Sequence, residues 1–180
     1  EEMSGTMDLR VRVEGDVKDP NLLKKIDDLQ SFVKKKEKIL VTYSITDIVK
    51  QMHRVVMDDS MKYETIPNER EKVNNLFIMY SMSGDSEDFS SMVDYDYSSA
   101  LITALSSAIS TETVFQYVRT TKEYIDEHFK NSVKVDITGM IVVIRDMVLL
   151  VIQSSVFSIV ISLLLIGLLT AFFFNRVLWG

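Results

Sequence analysis

An α+β fold, two interleaved strand–helix–strand units with a helical insertion and one long apolar helix at the end, follows from three features of the sequence. Three short segments alternate apolar and polar residues with a period of two, and a fourth is apolar on both faces. Each half of these strands brackets a helix with apolar residues at three- and four-residue spacing. Finally, the 29 positions from Met147 to Asn175 contain no charged residue.

Met7, Leu9, Val11 and Val13 alternate with Asp8, Arg10, Arg12 and Glu14, which predicts a half-buried strand over 7–13. Gly15-Asp16 breaks it. Asp19-Pro20 opens a helix over 20–36, because Asp at the N-cap accepts from free backbone N–H groups and Pro at the first position forfeits no hydrogen bond. Leu22, Ile26, Leu29 and Val33 form its apolar stripe. Lys34-Lys35-Lys36 suits the negative end of the helix dipole and reads as a solvated last turn rather than a binding patch. Ile39, Val41, Tyr43 and Ile45 predict the next strand, over 39–45.

Residues 46–97 read as a mostly helical insertion. Ser44 and Asp47 stand at capping-box spacing ahead of Ile48, Val49, Met52, Val55 and Val56. His53 lies in this helix with no second ligand-type residue at metal spacing, and reads as structural or solvent-facing. Ile66-Pro67-Asn68 is a break, with Asn68 expected to cap a helix carrying Val73, Leu76, Phe77 and Tyr80. Asp85, Glu87 and Asp88 lack the spacing of a calcium loop and read as a hydrated turn.

The second unit occupies 98–137. Ala100, Leu101, Ile102, Ala104 and Leu105 predict a strand over 99–107 buried on both sides. Ser110 or Thr111 caps a helix over 111–130 with Val114, Val118, Thr121, Ile125 and Phe129 on one face, closed by Lys130-Asn131-Ser132. Val133, Val135 and Ile137 make a last strand over 133–137, and Thr138-Gly139 opens the final helix. Two such units interleaved give the ferredoxin-like (split β-α-β) arrangement, an antiparallel four-stranded sheet with both helices on one face. The expected organisation is a domain over 1–139, then a long helix over 140–180 with its transmembrane part at about 154–175, since about 20 apolar residues cross a bilayer. Arg145-Asp146 would sit just above the lipid. Ser154, Ser155, Ser158 and Ser162 recur at helical spacing, fitting either bonds to their own backbone or a packing seam with neighbouring membrane helices.

Charge is partitioned. All 26 acidic residues and all basic residues but Arg176 precede Met147, leaving a formal −7 on that part. Such a surface opposes nucleic-acid binding. The chain has no cysteine, which rules out a disulfide scaffold, thiol catalysis and Cys-ligated zinc. Asp27-Asp28 and Asp58-Asp59 are sequence neighbours about 100° apart on a helix and form no positioned acid/base pair. No phosphate loop, nucleophile elbow or zinc-protease motif occurs. The reading is therefore of a non-enzyme, with no catalytic, cofactor-binding or metal residue, no cofactor, and substrate-binding residues unassigned. The Glu1-Glu2 start and the Gly180 end are expected to be cuts from a longer chain.

The order of parts resembles the extracytoplasmic porter domain of the RND superfamily of exporters, in the branch of the mycobacterial membrane lipid transporters (MMPL) and sterol-sensing-domain proteins. The resemblance is carried by Gly15-Asp16-Val17-Lys18-Asp19-Pro20 with Leu22-Leu23, by Tyr43-Ser44-Ile45-Thr46-Asp47-Ile48, and by Ile66-Pro67. Asp94-Tyr95-Asp96-Tyr97, Val135-Asp136-Ile137-Thr138-Gly139 and Gln153-Ser154-Ser155 complete it. It implies ion-driven export of lipids or other amphiphiles from the inner (cytoplasmic) membrane, with residues before about 147 on the extracytoplasmic side. Its partners would be the lipid bilayer, the remaining membrane helices and second porter domain of the same chain, a hydrophobic or amphiphilic substrate, and further copies of itself in a homo-oligomer. Met147 to Asn175 contains no Asp or Glu to couple ion flow. Two rival expectations are an extracytoplasmic sensor domain whose helix leads to a signalling module, and a single-helix anchored structural protein.

Overall fold

The computed structural model describes residues 7–82, 90–129 and 133–174. Its element order is β1 (Met7–Glu14), α1 (Pro20–Lys34), β2 (Ile39–Tyr43), α2 (Ile45–Val56), a 3-10 turn (Met61–Tyr63), α3 (Arg70–Met82), β3 (Ser99–Ser106), α4 (Thr111–His128), β4 (Val135–Thr138) and α5 (Met140–Phe174). The fold is α+β. The four strands form one sheet in the order β2-β3-β1-β4, with every neighbouring pair antiparallel. Contacts within the chain divide it into two units, Glu1–Val142 and Val143–Gly180.

The period-two pattern of β1 decides which face of the sheet is covered. Leu9, Val11 and Val13 are at most 1% exposed, while Arg10 and Arg12 point to solvent. Across the β1–β3 ladder Leu9 faces Ala104, Val11 faces Ile102 and Val13 faces Ala100, all equally buried. Small alanines opposite branched residues leave room for the helices. Leu23, Ile26, Leu29 and Val33 of α1 and Val114, Val118, Thr121 and Ile125 of α4 supply the other half of the core. The two helices touch each other, so they share one face of the sheet. Each fully buried Leu, Ile or Val contributes about 1.5–3 kcal/mol.

The expected helix starts are found at Asp19, whose side chain accepts from the Asn21 N–H, and at Ser110, whose Oγ accepts from the Thr113 N–H. The capping box at Ser44 and Asp47 is complete in both directions. That cap corrects the expected strand over 39–45. With Ser44 as N-cap, Ile45 is the first residue of α2 and is fully buried there, so β2 stops at Tyr43. A register shift between Ile39 and Val41 also breaks the alternation and leaves Val41 exposed on the edge strand.

Other boundaries move by a few residues. α1 ends at Lys34 rather than Lys36, α4 gives way to Phe129 as its C-cap, β3 ends at Ser106, and β4 starts at Val135 rather than Val133. Asn68 is not the cap of α3. The helix starts at Arg70, and the Asn68 Oδ1 instead accepts from the Lys24 ammonium. The expected turn at Ser83 to Asp88, the expected helix end at Lys130-Asn131-Ser132, and Asn175 and Arg176 lie outside the described residues.

From Val143 onward α5 belongs to the second unit, and it is the helix whose charge-free sequence stood out. It runs 35 residues, about 52 Å at 1.5 Å per residue, against about 30 Å of hydrocarbon in a bilayer. It is long and apolar enough to cross a membrane. Ser154 and Ser155 both donate to the Val151 carbonyl, and Thr170 donates to that of Ile166, so these hydroxyls are satisfied by their own helix.

Candidate functional site

A concavity of the first unit with largely apolar walls lies in the helical insertion, where α2, the 3-10 turn and α3 line about 490 Å³. Its construction starts at the end of α2. Asp58 and Asp59 both take left-handed conformations, φ 57° and 55°, which reverse the chain in two residues. Asp tolerates this region better than most side chains. Arg54 then fastens the returning segment: its guanidinium lies 2.9 Å from an Asp59 carboxylate oxygen and 3.1 Å from one of Glu64. These two carboxylates, the Glu64 hydrogen bond foremost, raise the Arg54 pKa. Ile66 and Pro67 are buried beneath the turn.

The far side of α2 is locked to α1. Ser44 Oγ donates to Gln30 Oε1 at 2.6 Å, Thr46 Oγ1 donates to the same oxygen at 3.0 Å, and Gln30 Nε2 donates to Asp47 Oδ2 at 2.6 Å. Lys50 reaches Asp27 at 2.6 Å. Gln30, Ser44 and Thr46 are all buried, and each finds partners, as buried polar groups must. With α2 held by this network, its remaining apolar residues are free for the cleft. Val56 of α2, Met57 at its C-cap, and Leu76 and Met79 from α3 give the cleft apolar walls, with Lys62 and Lys72 among its polar lining.

His53 lines this cleft and is half-buried. Its Nδ1 lies 2.7 Å from the Thr65 carbonyl, an acceptor only, so that nitrogen carries the hydrogen. The ring meets Tyr63 edge-on at 5.8 Å. His53 therefore braces the turn, as a structural histidine does, and also contributes to the cleft surface.

A second feature corrects the reading of the lysine run. Lys34 and Lys35 are exposed, but Lys36 folds back. Its ammonium sits 4.4 Å from the Phe32 ring centroid and 5.6 Å from that of Tyr117, and bonds Thr120 Oγ1. Burial lowers its pKa to about 8, against the opposing pull of Glu123. Phe32 stacks on Tyr124 at 4.3 Å, and Tyr124 stacks on His128 at 4.0 Å, joining α1 to α4. Periodicity could not reveal this, because Phe32, Tyr124 and His128 come from two helices 92 residues or more apart at the Phe32–Tyr124 contact.

The Asp94-Tyr95-Asp96-Tyr97 lead-in to β3 is a tight turn. Asp94 accepts from the Ser98 and Ser99 N–H groups at 2.7 and 2.9 Å and from the Ser98 hydroxyl. Burial alone would raise its carboxyl pKa; these bonds outweigh it and hold the carboxyl below the usual aspartate range. Tyr97, at φ 57°, lends its carbonyl to the Val17 N–H and its ring to the Lys18 ammonium at 4.0 Å, while Tyr95 is 97% exposed.

The junction into α5 is built just as closely. Gly139 has φ 99°, and a Cβ there would stand 2.6 Å from the Asp8 carbonyl oxygen, so only glycine fits. One Asp8 carboxylate oxygen accepts from the Met140 N–H at 2.9 Å and the other pairs with Arg10 at 2.6 Å. A strand residue thus caps a helix 132 positions away.

Among the described residues no group of three or more His, Cys, Asp or Glu is placed to hold a metal ion. In comparisons with known proteins, no family model matches the chain and no curated protein matches it in sequence. The cleft residues were missed in the sequence because α2 reads as one amphipathic stripe. The available signal was its excess: Val55, Val56 and Met57 continue the apolar pattern past the face that α1 covers, and Met61, Met79 and Met82 follow in the same insertion.

Proposed function

We propose that the chain is the extracytoplasmic substrate-handling domain, with the membrane helix after it, of an RND-superfamily exporter of the MMPL and sterol-sensing-domain branch. The exporter moves lipids or other amphiphiles by ion-driven conformational cycling. The observation that carries this reading is the passage from β4 through the single residue Gly139 into a 35-residue apolar helix whose first N–H is capped by β1. Mere tethering asks for no such construction, since a flexible linker would serve. The strand order β2-β3-β1-β4, with α1 and α4 on one face, agrees with a ferredoxin-like split β-α-β domain interrupted by an insertion. The cleft supports handling of a molecule with an apolar part.

In this reading the domain receives an amphiphile while charges elsewhere in the transporter supply the energy, because Met147 to Phe174 holds no acidic residue. The test is transport by the full-length protein in proteoliposomes. An imposed proton or sodium gradient should drive movement of a fluorescent lysolipid or fatty acid out of the leaflet, and the gradient's collapse should stop it. Gradient-independent behaviour, together with a polar signalling module after the helix, would replace the exporter by a membrane-anchored sensor.

A further inference from the structure

We infer that the α2–α3 cleft takes a single-chain amphiphile with an anionic head, of the long-chain carboxylate class. Its acyl chain lies on Val56, Met57, Ile66 and Met79, and its head at Lys62 and Lys72. That this molecule is transported cargo rests on the exporter reading; that it binds does not. A volume of about 490 Å³ falls in the lower half of the range of about 300–1,000 Å³ for small-molecule sites, which fits one chain. The apolar wall is rich in methionine, whose flexible thioether adapts to irregular ligands. Val56 and Met79 remain 47% and 46% exposed at this wall, apolar surface that a ligand would cover.

Charge decides the head group. The domain carries a formal −7, yet the cleft lining brings Lys62 and Lys72 against Glu69 alone. Lys72 is paired with Glu69 at 2.8 Å. Lys62 makes no ion pair among the described residues; its ammonium lies 5.8 Å from the Tyr63 ring. The cleft is therefore locally positive on an acidic domain, so it attracts an anion that the rest of the surface repels. With Nδ1 of His53 spent on Thr65, Nε2 is the remaining polar atom of that ring.

The experiment uses the full-length protein in nanodiscs and three photoactivatable probes with one chain length: a fatty acid, its neutral methyl ester, and its trimethylammonium analogue. Cross-linked peptides are mapped by mass spectrometry. The fatty acid should label residues 53–79 most strongly. The exposed double reversal Lys62→Glu/Lys72→Glu should cut that labelling on the order of tenfold and spare labelling of α5 by any probe. Met79→Trp, which fills the cleft and leaves its charges, should reduce labelling of 53–79 by all three probes. Equal labelling by the three heads, indifference to charge reversal, or a cleft that another part of the protein covers against every probe would each overturn the site. A labelled, charge-selective cleft in a protein that transports nothing would sink the exporter reading alone; gradient-driven transport with the cleft unlabelled would sink the site alone.

Discussion

Lys36 and Asp94 show how far a side chain's surroundings can depart from its place in the sequence. A lysine at the end of a helix is ordinarily solvated, but Lys36 is turned onto Phe32 and Tyr117 and its pKa falls to about 8. The unfolded lysine binds its proton up to about 10.5. Between these values the unfolded state holds more protons, so the contribution of Lys36 to stability must rise with pH from about 8 to 10.5. Comparing chemical denaturation of the protein with that of Lys36→Met across this window should show the difference shifting in favour of the lysine as pH increases; a flat difference would place the ammonium in free solvent. Asp94 behaves in the ordinary acidic sense. Its carboxyl pKa is held low, so its contribution is present above the unfolded aspartate range, near 3.9, and is lost as pH falls through the lower folded value. Asp94→Ala removes the acceptor of both turn N–H groups and should cost about 1–2 kcal/mol, read as a lowered unfolding midpoint at neutral pH, with the penalty fading in acid.

At the scale of elements, the ends of strands and helices decide most of the boundaries. Ser44 begins α2 whatever the apolar pattern of Ile39 to Ile45 favours, because a completed capping box gives Ile45 a helical backbone. The other decisive end is the start of α5. Gly139→Ala sets a Cβ 2.6 Å from the Asp8 carbonyl oxygen and imposes φ 99° on an L side chain. Overpacking and backbone strain together should cost about 2–4 kcal/mol. Thermal unfolding of the full chain in detergent checks this, and an unchanged melting temperature would mean that the strand–helix junction relaxes freely. Asp8→Ala should cost less, about 1 kcal/mol, as a lost helix cap whose ion pair with Arg10 is half-exposed.

For the whole molecule, the prediction concerns α5 and the bilayer. These 180 residues contain no cysteine, so a single cysteine introduced among them is the only one in this stretch. In intact membranes a cysteine at Ser158 or Leu164 should resist a membrane-impermeant maleimide, while one at the exposed Lys35 should react from one side only. Rapid labelling at Leu164 would mean that α5 does not lie in lipid. Much of this molecule was legible in residues alone. The alternation of Met7 to Glu14, the caps at Asp19 and Ser110, the buried stripe Val114, Val118, Thr121, Ile125 and Phe129, and the charge-free run after Met147 all correspond to what the structure contains. These are local signals: a period of two or 3.6, a cap within three residues, or the mean hydropathy of one segment determines them. The cleft was not legible, nor were the folded-back Lys36 and the capping of α5 by Asp8. Lys36 on Tyr117 and Asp8 on Met140 join residues distant in sequence, at distances that exist only once α1, α4 and the sheet have packed, and the cleft exists only once α2 and α3 fold against each other. The sequence by itself determined the elements, the shared core and a helix able to span a membrane. Tertiary structure alone decided which side chains left over from that core meet one another, because local pattern specifies which face is buried but not what it is buried against.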